Sequence, residues 1–81
     1  MDETKARTEI ASALSAVVPG VVLDGIAPTD DLRVVLDLDS LDFLTLVEAL
    51  AEATGVEIPE ADYGRVASLG QLSAYLVARS A

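Results

Sequence analysis

The sequence predicts an all-α domain, a four-helix bundle of three longer helices and one short helix, with a long loop between the first two. Three observations predict it. Apolar residues recur at three- and four-residue spacing in three separate segments. Two of those segments open on capping residues, and all are punctuated by Gly or Pro. The chain is 52% hydrophobic, yet holds only two Tyr, one Phe and no Trp. Such small side chains favour thin helices packed closely together.

The first helix is predicted over residues 3–18. Ile10, Leu14, Val17 and Val18 form one stripe of a 3.6-residue repeat, and Pro19-Gly20 ends it. Residues 19–36 form a long connection broken by Gly20, Gly25 and Pro28. A loop of that length in a compact domain carries structure of its own. Thr29 is expected to cap a short helical turn toward Leu32 and Val35, with Asp30 and Asp31 as its acidic start. Val21, Val22, Leu23 and Ile26 are expected to pin the loop onto the bundle.

The second long helix is predicted from Ser40 to Thr54. Asp39 is its N-cap, Asp42 completes a weaker relative of the capping box, and Gly55 closes it. Pro59 opens a very short third helix through Tyr63, which Gly64 stops. Ser68 and Gln71 match a capping box for the last helix, whose apolar face is Leu69, Leu72, Tyr75 and Leu76, with Arg79 at its C-terminal end. There is no internal repeat. Eighty-one residues make one domain, 1–81, with a core too thin to enclose a deep catalytic cavity.

Composition narrows the chemistry. With no Cys and no His, the chain lacks disulfides, thiolate nucleophiles, imidazole bases and the usual transition-metal ligands. A calcium loop starting at Asp37 fails because Leu41 stands where an acid is needed and no Gly follows at 42. No metal site and no catalytic residue is assigned, and a non-catalytic domain is expected. The formal charge of −9, from 14 acids and 5 bases, repels nucleic acid and anionic membranes and favours basic protein surfaces. No apolar run approaches a membrane span and no leader is recognisable, so a cytoplasmic monomer is expected.

The Ser40–Thr54 helix carries the information. On a helical wheel, Asp42, Thr45, Glu48 and Glu52 share an arc of roughly 120°, while Phe43, Leu46, Val47 and Leu50 lie opposite and form the core face. Leu41 and Leu44 fall on or beside the polar arc. Two exposed leucines flanking a helix N-terminus, inside an acidic surface, point to a docking face for a partner rimmed by Arg or Lys. The alternative is that both pack beneath the long loop. From Asp37 to Asp62 there are eight acids and no base. Ser40 by itself reads more readily as a capping residue than as a reactive one.

The segment Leu38-Asp39-Ser40-Leu41-Asp42 resembles the DSL motif of acyl carrier proteins. The resemblance extends through Leu46-Val47-Glu48-Ala49-Leu50, Gly55-Val56-Glu57-Ile58-Pro59 and Ser68-Leu69-Gly70-Gln71-Leu72, so it covers about residues 4–79. It implies an acyl-carrier-protein-like bundle with a 4′-phosphopantetheine arm from coenzyme A on Ser40, and Asp39 as the acid before it. Leu41 and Leu44 match apolar positions of the partner-facing helix, and Val56 and Ile58 match positions beside the channel that can shelter an acyl chain. The docking set expected on this basis is Leu41, Asp42, Leu44, Glu48, Glu52, Val56, Glu57 and Ile58. The implied partners are a phosphopantetheinyl transferase and acyltransferases, acyl-ligases, ketosynthases or other acyl-processing enzymes with basic docking patches. The implied pathways are those of fatty-acid, polyketide or related specialised biosynthesis.

There are departures from the family pattern. Asp37 stands where Gly is common, Thr45 where Glu is frequent and Glu48 where an apolar residue is frequent. Phe43 is bulky where a small residue is usual, which should reduce the core volume open to a sequestered chain. These features favour a dedicated partner set over a general fatty-acid role. A peptidyl or aminoacyl carrier and an unmodified helical adaptor are the competing readings.

Overall fold

A computed structural model of the chain describes residues 1–80. Four α-helices, α1 (Glu3–Leu14), α2 (Leu32–Val35), α3 (Ser40–Thr54) and α4 (Leu69–Arg79), are joined by 3₁₀ turns at Leu23–Gly25 and Glu60–Arg65. The all-α architecture is the one expected: three long helices, short helical turns and a long first connection. Among the described residues there is no strand, and no helix is long and apolar enough to cross a membrane.

Helix α1 packs against both α3 and α4. Its buried stripe of Ala6, Ile10, Ala13 and Leu14 meets Phe43, Leu46, Val47 and Leu50 of α3 and Leu69, Leu72 and Leu76 of α4 in one core. The expected core face of α3 is thus the buried one. Ser73 joins that core on α4, its hydroxyl without a hydrogen-bond partner among the described residues.

Helix α1 ends earlier than its apolar stripe. The regular helix stops at Leu14, and Val17 and Val18 follow in turns whose N–H groups both donate to the Leu14 carbonyl, at 3.0 and 2.8 Å. Val18 precedes Pro19, which disfavours a helical conformation at Val18, and both valines are β-branched. They still rest half-buried on the core, so the stripe outlasts the helix.

The first connection corrects three expectations. Asp31, not Thr29, caps α2, its carboxylate accepting from the Arg33 N–H at 2.9 Å. Asp30 closes the preceding turn instead, accepting from the Ala27 N–H at 2.9 Å. Val22 is exposed because its extended backbone alternates sides with buried Leu23. The loop is held to the start of α4 by backbone bonds: Leu32 N–H to the Ala67 carbonyl, Leu69 N–H to Asp30 and Gly70 N–H to Pro28. A Cβ at residue 70 would stand 3.0 Å from the Pro28 carbonyl oxygen, tighter than an ordinary contact, so Gly70 lets the two backbones cross closely without displacement.

The third short element is a 3₁₀ helix that runs through Gly64 to Arg65. Gly64 was expected to stop it, yet its φ is not positive, so it imposes no left-handed turn. From this element Asp62 reaches α4, accepting a 2.7 Å hydrogen bond from the Tyr75 hydroxyl, with Arg65 and Arg79 at 3.8 and 3.7 Å.

Helix α2 ends in a Schellman motif. The Leu38 N–H donates to the Arg33 carbonyl at 2.9 Å and the Asp37 N–H to Val34 at 3.3 Å. Asp37 therefore occupies the left-handed position, with φ of 52°. Asp tolerates that region better than most side chains, but Gly is the unstrained choice. This gives a physical reason for the Gly that the resemblance leads one to expect at this position.

Two predictions follow from this geometry. Asp37→Gly should raise the unfolding free energy by about 0.5 kcal/mol, once the greater unfolded-state freedom of Gly is offset. Asp37→Val should lower it by about 1 kcal/mol or more. Urea midpoints at constant m-value distinguish the two. The second concerns Tyr75, whose phenol is held above its ordinary pKa by the hydrogen bond to Asp62 and then by partial withdrawal from water. A pKa raised on folding gives stability that is complete below the unfolded value and lost as pH rises through the folded one. Tyr75→Phe should therefore lower Tm at neutral pH, and its difference from the parent should shrink above about pH 10.

Candidate functional site

The site is built on the junction between α2 and α3. After the Schellman motif, Asp39 adopts an extended conformation and caps α3. Both arms of the capping box form: the Asp42 N–H donates to Asp39 Oδ1 at 2.8 Å, and the Asp39 N–H donates to Asp42 Oδ2 at 3.3 Å. Asp42 thus serves as a full partner in the cap. The two carboxylates satisfy local backbone donors, a purpose beyond any attraction of partners.

Because Asp39 takes the cap, Ser40 does not. It is the first residue of α3, it is exposed, and its hydroxyl enters no hydrogen bond among the described residues. The N–H groups of Ser40 and Leu41 are the open donors of the first helical turn, since those of Asp42 and Phe43 are already paired to Asp39.

Ser40 borders a cleft of about 370 Å³ lined also by Arg33, Leu38, Asp39, Phe43, Glu60 and Tyr63. The Phe43 ring forms its floor, almost wholly buried and edge-on to Tyr63 at 5.2 Å between centroids. Arg33 lies over the same ring at 5.1 Å and is the only cation in the lining. Phe43 thus fills space between α3 and the 3₁₀ segment, as its bulk predicts.

Tyr63 also borders a second groove of about 380 Å³, with Leu44, Val47, Glu48, Ala51, Glu57 and Ile58. Four expected docking residues, Leu44, Glu48, Glu57 and Ile58, therefore meet along one seam. Leu41, Asp42, Glu52 and Val56 are not part of its lining. Val56 and Ile58 are buried, because the extended segment after Gly55 turns both inward, so they support the face from beneath. Leu41 and Leu44 are 72% and 40% exposed, which excludes their packing under the loop.

Sequence reasoning missed part of this surface. Val34 and Val35 on α2 are 75% and 47% exposed, two further apolar side chains on the helix that leads into the junction. Arg33 was also missed. A single Arg in a loop carries no spacing signal, and only the turn of α2 brings it to Ser40. Among the described residues, no cluster of three or more carboxylates is close enough to hold a metal ion.

Residues 8–76 match the family model described as the phosphopantetheine attachment site. The chain belongs to the acyl carrier protein family. A relative from Streptomyces coelicolor, named acyl carrier protein, is 31% identical over 75 residues, covering 93% of this chain and 82% of its own length. Carrier proteins of this family are generally non-catalytic, and they interact with phosphopantetheinyl transferases and acyl-processing enzymes. Membership implies a 4′-phosphopantetheine prosthetic group. The residues present fit that group. An uncommitted hydroxyl stands in the open, two backbone donors flank it, and a guanidinium and an aromatic floor lie beside it.

The division of labour between Asp39 and Ser40 has a measurable consequence. Asp39→Ala should lower the unfolding free energy by about 1 kcal/mol through loss of the cap. Ser40→Ala should leave it within about 0.5 kcal/mol. Urea unfolding of the unmodified proteins is the check, and a large loss in Ser40→Ala would return the capping role to Ser40.

Proposed function

We propose that Ser40 is the attachment point of the 4′-phosphopantetheine arm, and that the chain presents acyl groups to successive enzymes of a fatty-acid, polyketide or related specialised pathway. One observation carries the reading. The hydroxyl at the start of α3 is exposed and free because the neighbouring carboxylates do the capping. When bound, the arm supplies a terminal thiol that holds acyl groups as thioesters.

The chain's own residues bind and orient. Leu41 and Leu44 on α3, with Val34 and Val35 on α2, offer exposed apolar contact. Asp37, Asp39 and Asp42 place negative charge beside Ser40 in the chain, and Glu48 and Glu57 add it along the neighbouring groove. A transferase, acyltransferase, acyl-ligase or ketosynthase with a shallow apolar pocket rimmed by Arg or Lys complements that face. Steering by exposed charges makes such encounters fast and salt-sensitive. Tethering raises the effective concentration of the acyl group without requiring tight binding. The filled seam at Phe43 and Tyr63 leaves little interior for a long chain. That supports a dedicated partner set in a specialised pathway over a general fatty-acid role.

Intact mass after incubation with a broad-specificity phosphopantetheinyl transferase, coenzyme A and Mg²⁺ tests the proposal. The parent should gain one phosphopantetheine and Ser40→Ala none. Leu41→Asp should still be modified, with kcat/KM lowered about tenfold through loss of an apolar anchor. A folded parent that gains no mass, beside a known carrier modified in parallel, would instead be an unmodified helical adaptor.

A further inference from the structure

Arg33 is held beside Ser40 by several local contacts, yet none of them uses its charge fully. Its backbone is fixed on both sides. Its N–H donates to the Asp31 carboxylate at 2.9 Å, and its carbonyl accepts the Leu38 N–H of the Schellman motif at 2.9 Å. Its guanidinium has a weak partner: Nε stands 3.8 Å from Asp31 Oδ1, and the two side chains are 41% and 38% exposed. That separation exceeds a hydrogen bond, and exposed pairs of this kind contribute little.

What positions the guanidinium is the Phe43 ring, 5.1 Å below it. Phe43 lies three residues beyond Ser40 on α3, so the two share a helix face, and helical side chains lean toward the N-terminus. The platform that holds Arg33 therefore lies one helical turn from Ser40 and borders the same cleft. A guanidinium resting on an aromatic face keeps its in-plane N–H donors free. Both residues line the same cleft, where Asp39 and Glu60 are the acids and Arg33 the only base.

We propose that Arg33 is the intramolecular counter-ion of the phosphodiester that joins the arm to Ser40, donating from its free N–H groups to the phosphate oxygens. The proposal rests on the reading of Ser40 as the attachment site. The phosphorus of that diester is bonded to Ser40 Oγ, so its oxygens stay at the cleft mouth wherever the rest of the arm swings. They bring a permanent negative charge among Asp37, Asp39, Asp42 and Glu60, where like charges oppose it. The open N–H groups of Ser40 and Leu41 offset part of that repulsion from the helix side. Arg33 offsets it from the cleft side, with the planar fork that suits phosphate oxygens. The root of the arm is then oriented while its thiol end remains free.

Arginine side-chain ¹H–¹⁵N spectra test this, recorded before and after complete conversion to the arm-bearing, unacylated protein, with conversion verified by intact mass. The Arg33 Nε–H resonance should move on conversion while those of Arg7, Arg65 and Arg79 stay in place. The ³¹P resonance should differ between the parent and Arg33→Gln, with Arg33→Lys intermediate. That difference should shrink as salt rises from about 0.05 M to about 0.5 M. A verified arm-bearing protein in which neither resonance responds overturns the proposal and leaves the attachment reading intact. A response appearing only after acyl loading also overturns it, assigning Arg33 to the cargo. No gain of mass overturns both readings together, so the two failures are distinguishable.

Discussion

The two-residue link Asp37–Leu38 is the constraint on which the position of Ser40 depends. Helix α2 has only four residues and would not persist alone, since one turn of helix fixes several dihedrals for a single backbone bond. It persists because Leu32 is buried and because the surrounding backbone is bonded to the start of α4. Gly70 admits that crossing by having no Cβ against Pro28. The Schellman motif then reverses the chain, buries Leu38 as its apolar anchor and delivers Asp39 in the extended conformation that a cap requires. An exposed serine is thus placed by contacts that reach the far end of the sequence.

The same junction separates roles that one residue type could have combined. Serine is a favoured cap, and a capping hydroxyl is held by a backbone donor. Here carboxylates do that work on both sides of Ser40, and they also place negative charge at the positive end of the α3 dipole. The arrangement has an electrostatic cost for any anion on Ser40. That cost makes the one cation lining the cleft, stacked on Phe43, more significant than its weak pairing with Asp31 indicates.

The sequence was most legible where a local rule has a period or a fixed spacing. The bounds of α3, its Asp39 cap, the left-handed Gly55 and the Ser68–Gln71 box all rest on residues at most four apart, and all are present in the structure. The core face of α3 was legible for the same reason. Errors appeared where several local signals competed. Thr29, Asp30 and Asp31 are all capping residues, and backbone pairing with residues 67–70 decided among them. The end of α1 was blurred because Val17 and Val18 continue the apolar stripe through turns rather than helix. The tie between Asp62 and Tyr75, and the placement of Arg33 over Phe43, span 13 and 10 residues with no periodic signature. Asp37 was visible only as a departure from a common Gly, and its φ supplies the reason.

The aromatic seam links these features to the way such a carrier can work. A bundle that opens between α3 and the 3₁₀ segment could withdraw an acyl chain from water by 25 cal/mol or so for each Å² of apolar surface. Here the Phe43 ring is buried in that seam with Tyr63 against its edge, and separating them forfeits both burial and the edge-to-face contact. Shelter within the bundle is therefore opposed by the packing of the apo core. Two shallow depressions on either side of Tyr63 remain at the surface, one reaching Ser40 and the other lined by Leu44 and Ile58. Cargo lying along them would stay partly in water, so its protection falls to whichever enzyme docks. This places a premium on a recognisable docking face, the role proposed above for the exposed Leu41 and Leu44 on acidic α3.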